Sequence, residues 1–184
     1  MSGNLGLSIA PIQPVILLGY MGCGKSTVGR LLAKHLNIPF IDMDEHLSNS
    51  YGLSIPDLFL KHGEIGFRKL EQIALNELLS TAQTSVLSLG GGTPCYADNM
   101  RSVVKSTPNT FYLSPAISKL CQRLYPERNH RPLISHLNSE YKLQEFISKH
   151  IFERKQFYEQ ANHLIYIKDE NPQELVDQIL KRLG

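Results

Sequence analysis

The chain has 184 residues, a net charge of +2, and ordinary apolar (42%) and charged (20%) fractions. That is the length of one domain, with core enough to need neither disulfides nor a structural metal. So small a net charge gives no reason to expect nucleic acid or an anionic membrane as partner; positive charge is expected locally, facing an anionic ligand.

Residues Met1 to Pro14 are small, polar and broken by proline, and read as a flexible lead-in (1–14) to a single domain over 15–184. Val15 to Leu18 is an apolar run suited to a buried strand. Lys25 to Leu36 reads as a helix with Val28, Leu31, Leu32 and Leu36 on one side. Between them, Gly19 to Ser26 fits the phosphate-loop pattern G-x-x-x-x-G-K-[ST] at every fixed position. Gly22 and Gly24 let the backbone curl so that its N–H groups face one concavity. Lys25 supplies a point charge for the β and γ phosphates, and the Ser26 hydroxyl is a magnesium ligand. Cys23 sits just ahead of a helix N-terminus. It is either an inert small residue or a thiolate whose alkylation blocks ATP binding.

The next strand, Pro39–Asp42, runs into two acids one residue apart. Asp42 and Asp44 can face opposite ways and do different work. Asp44 either faces an acceptor hydroxyl or merely caps the following helix. Ser54 and Pro56 start a helix that ends near His62-Gly63. Glu64 to Ser80 is a second helix, with Phe67, Leu70, Ala74 and Leu78 along one stripe. Arg68 lies beside that stripe and, taken alone, reads as solvated. The strand Ser85–Leu89 ends in Gly90-Gly91-Gly92 without an acid, so Asp42 is the nearest candidate to serve the metal. Three glycines in a row permit a ligand to approach the main chain; a tight turn is the alternative.

Ser114-Pro115 reads as the start of a helix to about Arg123. Residues 124–138 follow as a lid, with Arg128 and Arg131 as candidates to reach the transferring phosphoryl group; an exposed basic loop is the plainer reading. Ser139 to Gln160 is a long helix carrying Leu143, Ile147, Ile151, Arg154 and Tyr158 at spacings of three or four. Arg154 interrupts an apolar stripe, so it needs an acidic side chain or a ligand carboxylate. Asn171-Pro172 caps a last helix to Leu183, and the loop before it is expected to border the nucleotide base. Strands alternating with helices predict a three-layer α/β/α fold on a five-stranded parallel sheet, with ligands beyond the carboxyl ends of the strands.

The three cysteines are odd in number and form no C-x-x-C pair, which argues against a disulfide framework and for a reducing compartment. No stretch approaches the roughly 18 apolar residues of a membrane span, and no signal core is visible. A cytoplasmic monomer, with no nucleic-acid or membrane partner, is expected.

Taken together, Gly22 to Thr27, Asp42-x-Asp44, Gly63 with Phe67-Arg68, Gly90-Gly91-Gly92, Arg131-Pro132-Leu133, and Arg154 with Tyr158 resemble shikimate kinase, from about Val15 to Leu183. The resemblance implies phosphoryl transfer from ATP to the 3-hydroxyl of shikimate, on the route to chorismate and aromatic amino acids. It implies that Asp44, Arg68, Gly91, Gly92 and Arg154 hold the acceptor. Gly22, Cys23, Gly24, Lys25, Ser26, Thr27, Arg131 and Asn171 would hold ATP. Ser26 and Asp42 would serve Mg2+, and Lys25, Asp44 and Arg131 would be catalytic. The run Arg154-Lys-Gln-Phe-Tyr158 departs from the family's Arg-x-Pro-Leu-Tyr. Rival readings are a gluconate or nucleoside monophosphate kinase of the same fold, and a non-catalytic ATP-binding module. A polyol acceptor gives no electrostatic need for two arginines, and both acids beside the lid arginines speak against the module.

Overall fold

The computed structural model describes residues 13–81 and 84–183. The expected lead-in falls almost wholly outside them. Five strands form one parallel sheet: β1 (Val15–Leu18), β2 (Phe40–Asp42), β3 (Val86–Ser88), β4 (Thr110–Pro115) and β5 (His163–Ile167), in the order β2-β3-β1-β4-β5. Successive side chains of β1 alternate between two cores. Val15 and Leu17 pack with helices α1 (Lys25–Leu36), α5 (Ile117–Glu127) and α7 (Pro172–Leu180). Ile16 and Leu18 pack with α2 (Met43–Tyr51), α3 (Ile55–Thr81) and α4 (Asn99–Ser106). Helix α6 (Glu140–Tyr158) gives Leu143 and Ile147 to the first core and Tyr158 to the second. The predicted three layers are therefore present, and all five predicted strands are among the described elements. Among the described residues no helix is long and apolar enough to cross a membrane. The three cysteines are free.

Most local punctuation falls where the sequence places it. Ser139 caps α6 by accepting from the Lys142 amide at 3.2 Å. Asn171 and Glu174 form a reciprocal capping box at α7. Gly63, with φ 65° and ψ 177°, breaks α3 into the two expected helices. Two readings are corrected. Ser114 and Pro115 do not start a helix: β4 continues through them, pairing Ser114 with Tyr166 and Pro115 with Ile167. Helix α5 begins two residues later and runs past Arg123 to Glu127. Its extra turn is held by Leu124, fully buried against the phosphate loop. Ile134 and Leu137 of the predicted lid are likewise buried, while Pro132 and Leu133 stay exposed.

Candidate active site

The phosphate loop joins β1 to α1 at the carboxyl edge of the sheet. Gly22 (φ 75°) and Gly24 (φ 100°) both adopt left-handed backbone that L side chains rarely take, which is why the pattern needs glycine there. Lys25 is buried, and its Nζ donates to the carbonyls of Gly19 (2.9 Å) and Tyr20 (3.2 Å). Cys23 is 1% exposed and its side chain belongs to the core, which favours the inert small residue over the reactive thiolate. Thr27 is exposed on the first turn of α1.

The two acids at the end of β2 do face apart. Asp42 Oδ2 accepts from the Ser26 hydroxyl at 2.7 Å, and its Oδ1 accepts from the Asp44 amide at 3.1 Å. Asp42, not Asp44, is thus the N-cap of α2. Asp44 is left open to the cleft beside Gly90, where a Cβ would lie 2.9 Å from its Oδ1. Loss of hydration at the base of the cleft, then repulsion from Asp42, pushes its carboxyl up to about 6, against the opposing pull of Lys25.

Gly90 to Gly92 have no positive φ, so the turn does not require glycine for its torsions. Space does. A Cβ on Gly91 would lie 3.2 Å from the Met21 amide nitrogen, and one on Gly92 would lie 2.7 Å from Arg68 Nη1. The glycine run therefore lets the phosphate loop and the Arg68 guanidinium close in from two sides.

Arg68 is not a solvated arginine. Its side chain is 13% exposed, ion-paired to the buried Glu71 and laid over the Tyr96 ring at 4.1 Å. Its Nε is buried without a partner. Glu71 also accepts from Thr93 Oγ1 at 2.6 Å, so one carboxylate fixes the guanidinium from below. Sequence reasoning missed Glu71, although it stands on the apolar stripe between Phe67 and Ala74. A charge at a core position was the available signal.

Arg154 is half-buried over the Tyr20 ring, close enough to the Tyr158 hydroxyl for the two to interact. Among the described residues it has no ion pair with a carboxylate. Tyr158 is fully buried and donates to the Gly91 carbonyl at 2.5 Å, tying α6 to the glycine run. The helix stays regular through Tyr158 with Lys-Gln-Phe in the intervening positions.

Of the two lid arginines, Arg128 turns away, donating to the Tyr125 carbonyl and stacking on the Tyr125 ring. Arg131 pairs with Glu127 at 2.7 Å and faces the cleft. Asn171 is exposed, with its side-chain oxygen taken by the Gln173 and Glu174 amides. Arg123, which carries no sequence signal, reaches from α5 to the Gly22 carbonyl at 3.1 Å and sets a cation at the loop's rim. One cleft of about 270 Å³ has Asp44, Arg68, Arg131 and Arg154 on its walls, beside Gly90 to Gly92. An acid open to the cleft on one side and guanidinium groups on the other, Arg154 among them without a carboxylate partner, suit an acceptor bearing both a hydroxyl and an anionic group.

Comparison with known proteins bears on this arrangement. The family model for shikimate kinase matches residues 21–184. The chain is 41% identical to the shikimate kinase of Flavobacterium johnsoniae, across 94% of this chain and 100% of that one. A solved shikimate kinase from Bacteroides thetaiotaomicron superposes with a TM-score of 0.83 at 32% identity, over 94% of this chain and 96% of that one. The shikimate kinase of Acinetobacter baumannii, solved in complex with shikimate, superposes with a TM-score of 0.82 at 35% identity, over 93% and 92%.

Proposed function

The chain belongs to the shikimate kinase family, and from that premise we propose how its own residues divide the work of phosphorylating shikimate with ATP. The observation that carries the assignment is the single cleft holding Asp44 and three arginines around the glycine run. Shikimate presents a carboxylate at one end of its ring and hydroxyls at the other. Arg68 and Arg154 bind the carboxylate. Asp44 faces the 3-hydroxyl, orients it and accepts its proton. Gly91 and Gly92 bring the main chain up to the ring.

On the nucleotide side, the backbone of Gly22 to Thr27 cradles the phosphates and Lys25 supplies charge at their β and γ groups. Asn171 and the loop before it border the base. Ser26 and Asp42 are hard oxygen donors that already touch, at 2.7 Å, and they are the residues that would hold Mg2+. When bound, the ion neutralises charge on the phosphate oxygens. Arg131 leaves Glu127 to meet the transferring phosphoryl group. Arg131→Ala is therefore expected to lower turnover by about 10²-fold while changing acceptor binding little, because its charge matters most in the transition state. Steady-state kinetics with both substrates varied decides this; unchanged turnover would remove the lid from catalysis.

The test of the acceptor assignment uses charge. Arg68 already has Glu71, so Arg154 is the guanidinium whose charge most needs a ligand anion. Arg154→Lys keeps the charge but loses the planar fork. It is expected to weaken shikimate binding by about 1.5–3 kcal/mol, the scale of a charge-assisted hydrogen bond, with ATP binding nearly unchanged. The neutral amide of shikimate should be a poor substrate for the native enzyme. It should lose little further in a combined Arg68→Ala, Arg154→Ala variant. Equal phosphorylation of acid and amide by native enzyme would make both arginines structural.

A further inference from the structure

One residue of the phosphate loop is held from outside it. Tyr20 occupies a variable position of the motif, yet it is 1% exposed, and no phosphate role accounts for its side chain. Its ring lies under the Arg154 guanidinium, 5.8 Å from centroid to Cζ. Its hydroxyl meets His150 Nδ1 at 3.3 Å, with the two rings edge-on. His150 and Arg154 stand one turn apart on α6, so the same helix face grips the tyrosine twice. His150 is in turn seated by Phe146, ring centroids 4.0 Å apart, and Phe146 meets His136 of the lid segment edge-on. Burial holds the Tyr20 hydroxyl protonated, pushing it up to about 12. Burial, then Arg154, lowers His150 from its ordinary 6.5, so the imidazole is neutral at working pH.

We propose that Tyr20 and His150 form a clamp that fixes the phosphate loop to α6, making His150 a positioning residue for phosphoryl transfer that touches neither substrate. The loop carries Lys25 and α6 carries Arg154. The clamp keeps nucleotide and acceptor subsites at one spacing, which in-line transfer requires. The inference rests on the phosphate loop holding ATP, as assigned above.

The test is a cycle of Tyr20→Phe and His150→Leu at pH 8, with His150→Asn as the conservative variant that keeps a polar atom near the hydroxyl. Each of the first two is expected to raise KM for ATP about five-fold, the worth of one hydrogen bond. The double variant should be no worse than the poorer single one. His150→Asn should restore most of the loss. KM for shikimate should move less than KM for ATP. Effects that multiply, an unchanged KM for ATP, or a loss of activity that follows only a lowered melting temperature would each overturn the clamp. Native enzyme that consumes ATP without dependence on shikimate would instead defeat the underlying assignment, so the two failures are distinguishable.

Discussion

Lys25→Ala is expected to cut shikimate-dependent ADP release by about 10³-fold or more, the scale of removing a preorganised charge from a phosphoryl-transfer site. No neighbour can substitute. Arg123 reaches only the rim of the loop, through the Gly22 carbonyl, and Arg131 stands across the cleft. The burial of Lys25 adds a second expectation. Its ammonium ties the Gly19 and Tyr20 carbonyls together, so the variant should also lose about 1–2 kcal/mol of stability. A melting curve measured beside the coupled assay separates the two effects. A folded variant with near-native turnover would end the reading of this loop as the phosphate site.

Asp44→Asn should come next in size, with turnover down by about 10²–10⁴-fold, the usual worth of a positioned general base. Its pH behaviour follows from the carboxyl being raised to about 6. The base must be ionised, so native kcat/KM for shikimate is expected to fall as pH drops through about 6, and the residual activity of Asp44→Asn should lack that limb. The same limb in the variant would assign it to another group. Stability carries the opposite sign. The folded carboxyl holds its proton more tightly than the unfolded one, whose ordinary value is 3.8. Its contribution is fully present below that value and lost as pH rises through about 6. Asp44→Asn should therefore melt higher than native protein at pH 8 and no higher at pH 3.5. The gain should be modest, because Asp44 opens to water.

What the sequence made legible was local. The phosphate loop, the Ser139 cap, the Asn171-Pro172 start and the break at Gly63 each depend on torsions and hydrogen bonds within a few residues, and each stands where read. The failures are cases where distant chain decides. Ser114-Pro115 has the look of a cap and first turn, but pairing with Tyr166 and Ile167 keeps it extended. Arg68 reads as solvated until Tyr96 covers it and Glu71, itself held by Thr93, pairs with it. In sequence the glycine run reads as room for a ligand beside the main chain. That the phosphate loop and Arg68 close in on the run is visible only in three dimensions. In sequence Asp42 reads as the acid for the metal, and Asp44 as either facing an acceptor hydroxyl or capping the helix. The cap decides which acid remains open, and it falls to Asp42 because that carboxylate already reaches Ser26.

The break at Gly63 divides labour between the two halves of α3. Before it, Ile55, Pro56 and Phe59 give the cleft an apolar wall; after it, Phe67, Arg68 and Glu71 bring the anchored charge. The glycine's torsions belong to a region that other residues scarcely visit, and nothing beyond the adjoining chain lies within 4 Å of where its Cβ would stand. Replacement there would strain the chain without filling any gap. The joint leaves wall and anchor on separate levers. Substitutions in residues 55–62 can reshape the outline of the cleft while the Arg68 guanidinium, pinned by Glu71 in the other half, keeps its place. Selection for a new acceptor outline would find its easiest footing in that first half, and selection against loss of charge recognition would bear on the second.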